Sequence, residues 1–193
     1  MNSILPENES CRLPYVIFVG GTSGSGKSTV ASALAQRLGY EFHDGDDYHS
    51  EASRVKMNAG IPLTDEDRFP WMRKLVSLIH KDDSGNTGSK PKRVVIACSA
   101  LKRVYRRLLV DDLPTSDSRV VMLRLSAETL AERLNERRDH FFNKSLLNSQ
   151  LATLELPKND VDEPHVLVVD GELPVQEIVD NIFKEIKNEI NFS

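Results

Sequence analysis

Short apolar runs alternate with amphipathic stretches along most of this chain. Runs rich in β-branched and aromatic residues, such as "YVIFV" from Tyr15 to Val19, have the length and composition of buried strands. After this first run, Val30, Leu34 and Leu38 recur at helical spacing, and a glycine follows as a stop signal. The pattern predicts strands at about 15–20, 40–46, 93–100, 119–126 and 165–171.

Helical patterns fill the intervals between the predicted strands. Thr64 followed by Asp67 has the spacing of a capping box, which predicts that a helix begins there. Strands that alternate with helices predict an α/β fold, in which a parallel sheet is sandwiched by helices and ligands bind beyond the carboxyl ends of the strands. The predicted helices lie at about 30–38, 51–59, 64–81, 101–110, 127–138, 145–156 and 175–186.

Length and composition predict one folded domain. The chain has 193 residues, of which 39% are hydrophobic, and this is enough to bury a core. It contains no internal repeat and no composition shift that marks a domain boundary. We expect residues 1–13 to form a flexible lead-in and residues 14–193 to form a single domain.

The net charge of the chain and its number of cysteines limit which binding partners and which cell compartment we expect. The formal net charge of −4 and the sequence pI of about 5.8 argue against binding to nucleic acid or an anionic membrane. Basic residues cluster locally at 101–107 and 136–140, a pattern that suits a small anionic ligand. The two cysteines are too few for a disulfide scaffold, and Cys98 has the setting of a small buried residue. With no signal-peptide pattern and no apolar run of about 20 residues, we expect a soluble cytoplasmic protein.

The stretch "GTSGSGKS" (21–28) matches the phosphate-loop pattern G-x-x-x-x-G-K-[ST]. Its glycines allow consecutive backbone N–H groups to turn toward phosphate oxygens, and the following helix adds its positive N-terminal end. Lys27 can neutralise the β- and γ-phosphates, and the Ser28 hydroxyl can ligate Mg²⁺. The alternative is a flexible glycine-serine loop, but the strand before the stretch and the helix after it favour phosphate binding. The predicted nucleotide contacts are Gly21, Thr22, Ser23, Gly24, Ser25, Gly26, Lys27, Ser28 and Thr29.

The second predicted strand ends in carboxylates, within "HDGDDYHS" (43–50). Because side chains alternate along a strand, we expect Asp44 and Asp46 to point the same way. One carboxylate can hold Mg²⁺, directly or through water, and the other can accept a proton from a substrate hydroxyl. The alternative is an Asp-rich turn that closes the strand, and the residues alone leave both interpretations open.

Arginines follow the fourth predicted strand. Arg133 and Arg137 lie four residues apart, on one face of a predicted helix, and Arg138 is adjacent. At a helix end beside a flexible segment, Arg137 or Arg138 can reach the phosphates and stabilise transferring charge. The alternative is a solvated face on which Glu132 and Glu136 pair with the arginines.

Other classes of nucleotide-binding protein fit less well than a small kinase. The guanine-recognition pattern Asn-Lys-x-Asp is absent, since Asn143 and Lys144 are followed by Ser145 and Leu146. Motor and transport ATPases need additional subdomains that a chain of this length does not hold. A small kinase requires an acceptor pocket, a group that orients the hydroxyl and a lid that excludes water.

Five stretches carry a family resemblance over about residues 15–185. They are "GTSGSGKST", "FHDGDDYHSEASRVKMNAGIPLTDEDRFPWM", "ACSALKRVYRRLL", "HFFNKSLLNSQLATLE" and "VLVVDG". Together they resemble the gluconokinases, small ATP-dependent kinases of the shikimate-kinase-like phosphate-loop class. The phosphate loop is general to that class, whereas "DGDDYH", "CSALK" and "HFF…Q..TLE" are specific to gluconokinases. The resemblance implies a phosphate-loop kinase fold, like that of shikimate and nucleoside monophosphate kinases, with a substrate-binding region at about 44–81 and a small lid at about 137–145.

The resemblance also implies a reaction and the residues that perform it. ATP would phosphorylate D-gluconate to 6-phosphogluconate, with Mg²⁺, and the product would feed the pentose phosphate pathway. Asp46 would orient or deprotonate the 6-hydroxyl, while Asp44 would serve the metal together with Ser28. Lys27 and Arg137 would act on the phosphates of ATP.

The implied sugar-acid pocket contains His49, Arg54 and Lys56, with Lys102 at the end of the third predicted strand. Arg54 is our prediction for the carboxylate contact, because a planar guanidinium suits bidentate pairing. His49 has an alternative interpretation as a turn residue beside Asp47. Lys56 has one as a solvated helix position.

Two rival functions stay open at this point. The first is a kinase of the same fold that acts on shikimate, a nucleotide or another sugar acid; the segments "DGDDYH" and "CSALK" argue against it. The second is a regulator that binds a nucleotide without catalysis, and the Asp44 and Asp46 pair argues against that. Family analogy is consistent with a homodimer, and no nucleic-acid or membrane partner is expected.

Overall fold

The computed structural model describes residues 13–80, 92–114, 117–136, 144–157 and 163–191. Within these residues the strands are β1 (Val16–Gly20), β2 (Glu41–Asp44), β3 (Val94–Ala97), β4 (Ser118–Arg124) and β5 (Val166–Asp170). The helices are α1 (Lys27–Leu38), α2 (Glu51–Asn58), α3 (Asp65–Ile79), α4 (Arg103–Val110), α5 (Ala127–Asn135), α6 (Lys144–Thr153) and α7 (Val175–Asn191), and a 3-10 turn covers Gly45–Tyr48. Every strand and helix predicted from the sequence is present.

All of the strands run parallel, in the order β2-β3-β1-β4-β5. The central strand is β1, where Phe18 lies opposite Ile96 of β3 on one side and Val120 of β4 on the other. Because β3 and β4 lie on opposite sides of β1, a crevice opens beyond the carboxyl end of β1. The loop after β1 therefore sits where open α/β sheets bind their ligands.

Alternate residues of the central strand face two separate cores. Val16 and Phe18 pack with side chains of α3 and α4, whereas Ile17 and Val19 pack with side chains of α1 and α7. Both faces are covered by helices, which is why the strand sequence is apolar throughout. Among the helices that the structure describes, none has both the length and the apolar content needed to cross a bilayer.

The second strand ends earlier than its sequence predicts. It stops at Asp44, and Asp46 lies in the 3-10 turn, so the expectation that strand alternation aligns the two carboxylates is wrong. Asp44 Oδ1 instead accepts a hydrogen bond from the Asp46 N–H at 3.1 Å. Aspartate side chains favour such turns because they bond to the backbone two residues further on. The two aspartates are neighbours through a turn and not through a shared strand face.

Helix α3 begins at the predicted capping box. Thr64 Oγ1 accepts a hydrogen bond from the Asp67 N–H at 3.4 Å, and Asp67 Oδ2 accepts one from the Thr64 N–H at 2.9 Å. These reciprocal bonds satisfy two backbone donors that the first turn of a helix leaves unpaired. They also fix the start of α3, whose first residues include Asp65 and Arg68.

A buried ion pair holds the turn between β3 and α4. Arg106 and Glu163 are 0% and 3% exposed, and the guanidinium donates to the two carboxylate oxygens at 2.9 and 2.6 Å. Arg106 Nη1 also donates to the carbonyls of Ala100 and Leu101, each at 3.1 Å. Ala100 has a φ of 45°, in the left-handed region that side chains other than glycine rarely adopt. The guanidinium thus stabilises an unfavourable turn and thereby positions Lys102, which follows it.

Replacing Glu163 by Ala should destabilise the fold by about 3–5 kcal/mol, because it leaves the Arg106 guanidinium unpaired in the interior. Urea unfolding followed by circular dichroism measures the change. Asp180→Ala is the matched control, since it breaks an exposed pair with Arg37 and should cost no more than about 1 kcal/mol. Equal losses in the two variants would contradict the role of Glu163 as an anchor.

Candidate active site

The loop between β1 and α1 turns its backbone toward the open edge of the sheet. Gly24 and Gly26 have φ values of 83° and 85°, which favour glycine. A Cβ on Gly24 would lie 2.8 Å from Leu134 Cγ, so the available space also requires glycine there. The Gly21 N–H donates to the Ser99 carbonyl at 3.1 Å, which ties the loop to the end of β3. A glycine-rich loop at a helix N-terminus forms a concavity that binds phosphate.

Some side chains of this loop are buried and others are accessible to a ligand. Thr22 and Ser25 are buried, and Ser25 Oγ has no hydrogen-bond partner within the part of the chain that is described. Lys27 and Ser28 open α1 and are partly exposed. An accessible ammonium and hydroxyl at these positions suit a triphosphate and its metal ion.

A cavity of about 420 Å³ adjoins the phosphate loop. Its size and its place beside the loop suit the nucleoside half of a nucleotide. At its rim, the Glu172 carboxylate accepts hydrogen bonds from the Ser126 N–H at 2.9 Å and the Ser126 hydroxyl at 2.7 Å. These bonds hold the pKa of Glu172 below its ordinary value. The walls are formed by Ser25, Gly26, Thr29, Val30, Arg133, Ile178 and residues 171–175.

The buried thiol of Cys98 lies beside the turn that carries the predicted carboxylates. Asp44 pairs in register with Ala97 at the end of β3, and Gly45 packs against Ala97 and Cys98. Burial raises the pKa of Cys98 to about 12; the Lys27 charge lowers this pKa, and Asp46 and Asp44 raise it. The thiol therefore stays protonated.

Two buried contacts anchor the turn that carries Asp46. Trp71 Nε1 donates to the Gly45 carbonyl at 2.7 Å. A Cβ on Gly45 would lie 2.5 Å from the Ala97 carbonyl oxygen, so the turn packs directly against the end of β3. The side chain of Asp46 is 63% exposed. The backbone of the turn is fixed, and its carboxylate is accessible to a ligand.

His49 is a buried residue whose ring lies beside the Asp46 carboxylate, the predicted proton acceptor. It is 7% exposed, and its ring stacks on Trp71 with centroids 4.3 Å apart. His49 Nε2 lies 3.8 Å from Asp46 Oδ1, and Nδ1 is buried without a partner among the described residues. Burial lowers the pKa of His49, and the Asp46 carboxylate partly opposes that shift. The imidazole is therefore neutral at neutral pH.

Arg54 and Lys56, both predicted to contact the acceptor, contact protein groups in this structure. Arg54 donates to the carbonyl of Asp47 from Nη2 at 2.7 Å and to that of His49 from Nε at 3.3 Å. Lys56 Nζ lies 2.7 Å from Asp67 Oδ1, and this hydrogen bond holds the pKa of Asp67 below its ordinary value. Arg54 thus supports the backbone of the 3-10 turn, and Lys56 supports the start of α3.

A second cavity, of about 60 Å³, lies between α3, α4 and α6, and Lys102 forms part of its wall. Lys102 Nζ donates to the two Asp65 oxygens at 2.8 and 3.1 Å, and the Tyr105 hydroxyl donates to Asp65 Oδ1. These bonds hold the pKa of Asp65 below its ordinary value. Arg68 contributes a second cation, with its guanidinium over the Tyr105 ring. We call this cavity the acceptor cleft; Pro62, Leu63, Leu146, Ser149, Gln150 and Thr153 complete its walls.

Two residues join the acceptor cleft to the phosphate loop. The Ser99 carbonyl accepts the Gly21 N–H, and its hydroxyl accepts a hydrogen bond from Arg68 Nη1 at 3.4 Å. The Ser23 N–H donates to Gln150 Oε1 at 2.7 Å, and Gln150 Nε2 donates to Ser23 Oγ at 3.1 Å. The two cavities are therefore adjacent to one loop, as transfer between two bound molecules requires.

Two predicted site residues cannot be placed. Arg137 and Arg138 lie outside the described residues, as do positions 139–143 of the predicted lid. Arg133 is described and lines the larger cavity.

Sequence reasoning missed four residues of the acceptor cleft. Asp65, Arg68 and Tyr105 lie within stretches that carry the family resemblance, as does Gln150. A local pattern shows that α3 begins near Asp65, but the face that lines a cleft is decided by packing against α4 and α6. The "Q..TLE" pattern, which begins at Gln150, was the available signal for this residue.

The His49 imidazole should titrate below 6.5, and Asp46→Asn should lower its pKa further, because the carboxylate favours the charged ring. NMR of the imidazole signals against pH measures both values. Asp47→Asn is the control, since it removes a neighbouring carboxylate that does not form the 3.8 Å contact. An unchanged or higher His49 pKa in the Asp46 variant would contradict the contact.

Comparisons with known proteins agree with this geometry. The AAA domain family matches residues 17–145. A gluconokinase of Gluconobacter oxydans (strain 621H) is 42% identical over 177 residues, covering 91% of this chain and 93% of that protein. A probable gluconokinase of Dictyostelium discoideum is 38% identical over 177 residues, covering 89% of this chain and 86% of that protein. The crystal structure of a gluconokinase from Sinorhizobium meliloti 1021 superposes with a TM-score of 0.80 at 39% identity, covering 93% of this chain and 95% of that one. Since this identity extends over nearly the whole length of these relatives, the chain belongs to the gluconokinase family.

Proposed function

We propose that this chain transfers the γ-phosphoryl group of ATP to the 6-hydroxyl of D-gluconate, releasing ADP and 6-phosphogluconate. The observation that carries the proposal is the position of Ser99 between two subsites. Its carbonyl bonds to Gly21 of the phosphate loop, and its hydroxyl bonds to Arg68 of the acceptor cleft. Such proximity is what in-line transfer needs. Membership of the gluconokinase family supports D-gluconate as the acceptor.

On the donor side, ATP would place its phosphates on the loop 21–28 and its nucleoside in the 420 Å³ cavity. The loop N–H groups and the Lys27 ammonium would balance the phosphate charge. The Ser28 hydroxyl and the Asp44 carboxylate are the proposed ligands of Mg²⁺, which prefers oxygen and retains several waters. Held by these two residues, Mg²⁺ would neutralise negative charge on the bound triphosphate. Arg137 and Arg138 remain our predictions for further phosphate contacts from the lid.

On the acceptor side, the structure changes our preferred carboxylate contact. Arg54 lies outside the walls of the acceptor cleft and bonds to two backbone carbonyls. Arg68 and Lys102 line the cleft, and Arg68 Nε also donates to the Leu63 carbonyl at 3.4 Å. We assign the gluconate carboxylate to Arg68 and Lys102, because these two cations outnumber the one carboxylate among the described walls of the cleft, Asp65, and the net positive charge favours an anionic ligand. Asp65 and Tyr105 offer an acceptor and a hydroxyl to the polyol chain of the sugar acid.

Asp46 is the residue proposed to accept the proton of the 6-hydroxyl. Its exposed carboxylate would accept a hydrogen bond from the 6-hydroxyl and orient that oxygen toward the γ-phosphorus. As the new P–O bond forms and the bond to the ADP oxygen breaks, the hydroxyl proton passes to Asp46. The neutral His49 ring lies 3.8 Å from Asp46 Oδ1 and leaves the charge of that carboxylate intact.

The proposal also covers the cell compartment, the oligomeric state and the partners of the chain. We propose a cytoplasmic homodimer that binds neither nucleic acid nor membrane. The net charge of −4 supports the absence of an anionic partner. Light scattering coupled to size-exclusion chromatography measures the oligomeric state.

ADP release with Mg-ATP and a panel of acceptors tests the proposed function. D-gluconate should stimulate release far more than its epimers, shikimate, glucose or nucleoside monophosphates. Asp46→Asn should lower kcat about 100-fold or more while ATP affinity stays nearly unchanged, because only proton transfer and orientation are lost.

Controls separate the possible failures of this assay. Lys27→Ala should weaken both ATP binding and turnover, since its charge acts on the phosphates in both states. Stimulation by a different acceptor would keep the mechanism and overturn the choice of substrate. Bound ATP with no product from any acceptor would favour a regulator that does not catalyse transfer.

Arg68→Met should raise the KM for D-gluconate about 10- to 100-fold with a smaller effect on kcat, because it removes a charged hydrogen-bond donor to the carboxylate. Steady-state kinetics with gluconate varied at saturating ATP measures this split. Arg54→Met is the matched comparison and should change KM less. A larger KM effect in the Arg54 variant would return the carboxylate contact to Arg54.

A further inference from the structure

The first turn of α4 takes a capping group from Glu155, 52 positions further along the chain. Lys102 is the N-cap residue of α4, but its ammonium has no acceptor atom with which to cap the helix. The Arg103 N–H, a donor that the first turn of a helix leaves without an intrahelical partner, donates to Glu155 Oε2 at 2.7 Å. A carboxylate also suits the positive end of the helix.

Glu155 makes a second bond on the other side of Lys102. Its backbone N–H donates to the Leu101 carbonyl at 2.9 Å. The same carbonyl accepts a bond from Arg106 Nη1, which approaches from the interior, at 3.1 Å. Glu155 therefore bonds to the backbone both before and after Lys102.

The position of Glu155 is itself fixed by its two neighbours. Leu154 and Leu156 pack against the core that contains Tyr105 and Leu109 of α4, while Glu155 is exposed. A residue between two core contacts has little freedom to move. The two bonds from Glu155 are thus able to hold the turn after β3 in place, instead of following its motion.

This turn matters because Lys102 supplies a cation to the acceptor cleft. Lys102 Nζ donates to Asp65 Oδ1 at 2.8 Å, and both residues line the cleft. Two residues earlier, Ala100 has the unfavourable φ of 45°, which persists only where surrounding contacts hold the backbone. Loss of the bonds to Glu155 would let the turn relax and would shift the base of a long, flexible side chain.

We propose that Glu155 is a positioning residue that fixes the backbone of Lys102 and thereby holds its ammonium in the acceptor cleft. Glu155 then acts on acceptor binding, and not on ATP binding or on the transfer step. The inference rests on the proposed function, in which Lys102 contacts the gluconate carboxylate. The location of the ammonium beside Asp65 does not depend on that function.

Substitution of Glu155 tests the proposal on the full chain. Glu155→Ala should raise the KM for D-gluconate about 3- to 10-fold, while kcat and the KM for ATP stay within about 2-fold, because only a contact to the acceptor is misplaced. Glu155→Gln keeps a carbonyl acceptor for the Arg103 N–H and should retain a KM near that of the unmodified chain. Steady-state kinetics with each substrate varied in turn measures these values.

A double substitution tests whether Glu155 acts through Lys102. Lys102→Met alone should raise the KM for gluconate, because it removes the ammonium. Adding Glu155→Ala to Lys102→Met should change that KM by less than about 2-fold, since there is no longer a cation to position. Independent effects that multiply in the double variant would overturn the proposal.

Controls identify a merely structural role. Glu128→Ala removes an exposed carboxylate from the first turn of a different helix, α5, and should leave every kinetic constant unchanged. Circular dichroism and thermal unfolding show whether each variant is folded. Glu155→Met, which keeps the length of the side chain but not its carboxylate, replaces the alanine variant if that one unfolds. A lower melting temperature with an unchanged KM for gluconate would overturn the proposal.

A measurement without gluconate separates this inference from the proposed function. The hydrogen bond to Asp65 raises the pKa of Lys102 above its ordinary value. In Glu155→Ala this pKa should fall toward the ordinary value, because a displaced ammonium bonds less well to the carboxylate. NMR of the lysine side chains against pH measures it, and Lys102→Met assigns the signal.

The two readouts fail in different ways. If gluconate is phosphorylated but its KM is unchanged in Glu155→Ala, only the role of Glu155 is wrong. If gluconate neither binds nor reacts, the proposed function fails, and the pKa of Lys102 still decides whether Glu155 positions the ammonium. An unchanged pKa of Lys102 in Glu155→Ala would overturn that positioning.

Discussion

Parallel pairing of the strands is the constraint on which this molecule depends. Because every strand runs in the same direction, all carboxyl ends, with the residues that follow them, meet at one edge of the sheet. Lys27, Asp46 and Lys102 follow three different strands and reach this edge over short turns. The placement of the strands thus assembles the candidate site, and each loop contributes only a few residues.

The turns at this edge are held from the interior. Trp71 bonds to the carbonyl of Gly45 in the turn after β2, and Arg106 bonds to two carbonyls in the turn after β3. Both side chains are buried, so moving either turn would leave a buried donor unsatisfied. Accessible side chains such as that of Asp46 therefore extend from a backbone that buried contacts hold in place. Preorganised sites need this arrangement.

The phosphate loop is joined to a helix that is distant in sequence. The Ser23 N–H donates to Gln150 Oε1 of α6, and Gln150 also borders the acceptor cleft. Donor and acceptor subsites therefore share a polar contact as well as a sheet edge.

The sequence by itself determined the order and type of the elements, the capping box at Thr64 and the phosphate loop, because these depend on patterns within a few residues. The family resemblance extended this to the reaction. Only the tertiary structure decided that β2 ends at Asp44, that Arg54 faces backbone carbonyls and that Arg68 lines the acceptor cleft. Those outcomes arise from packing between separate helices and from contacts such as that of Ser23 with Gln150, 127 positions apart. Local periodicity carries no information about which polar side chains meet across such distances.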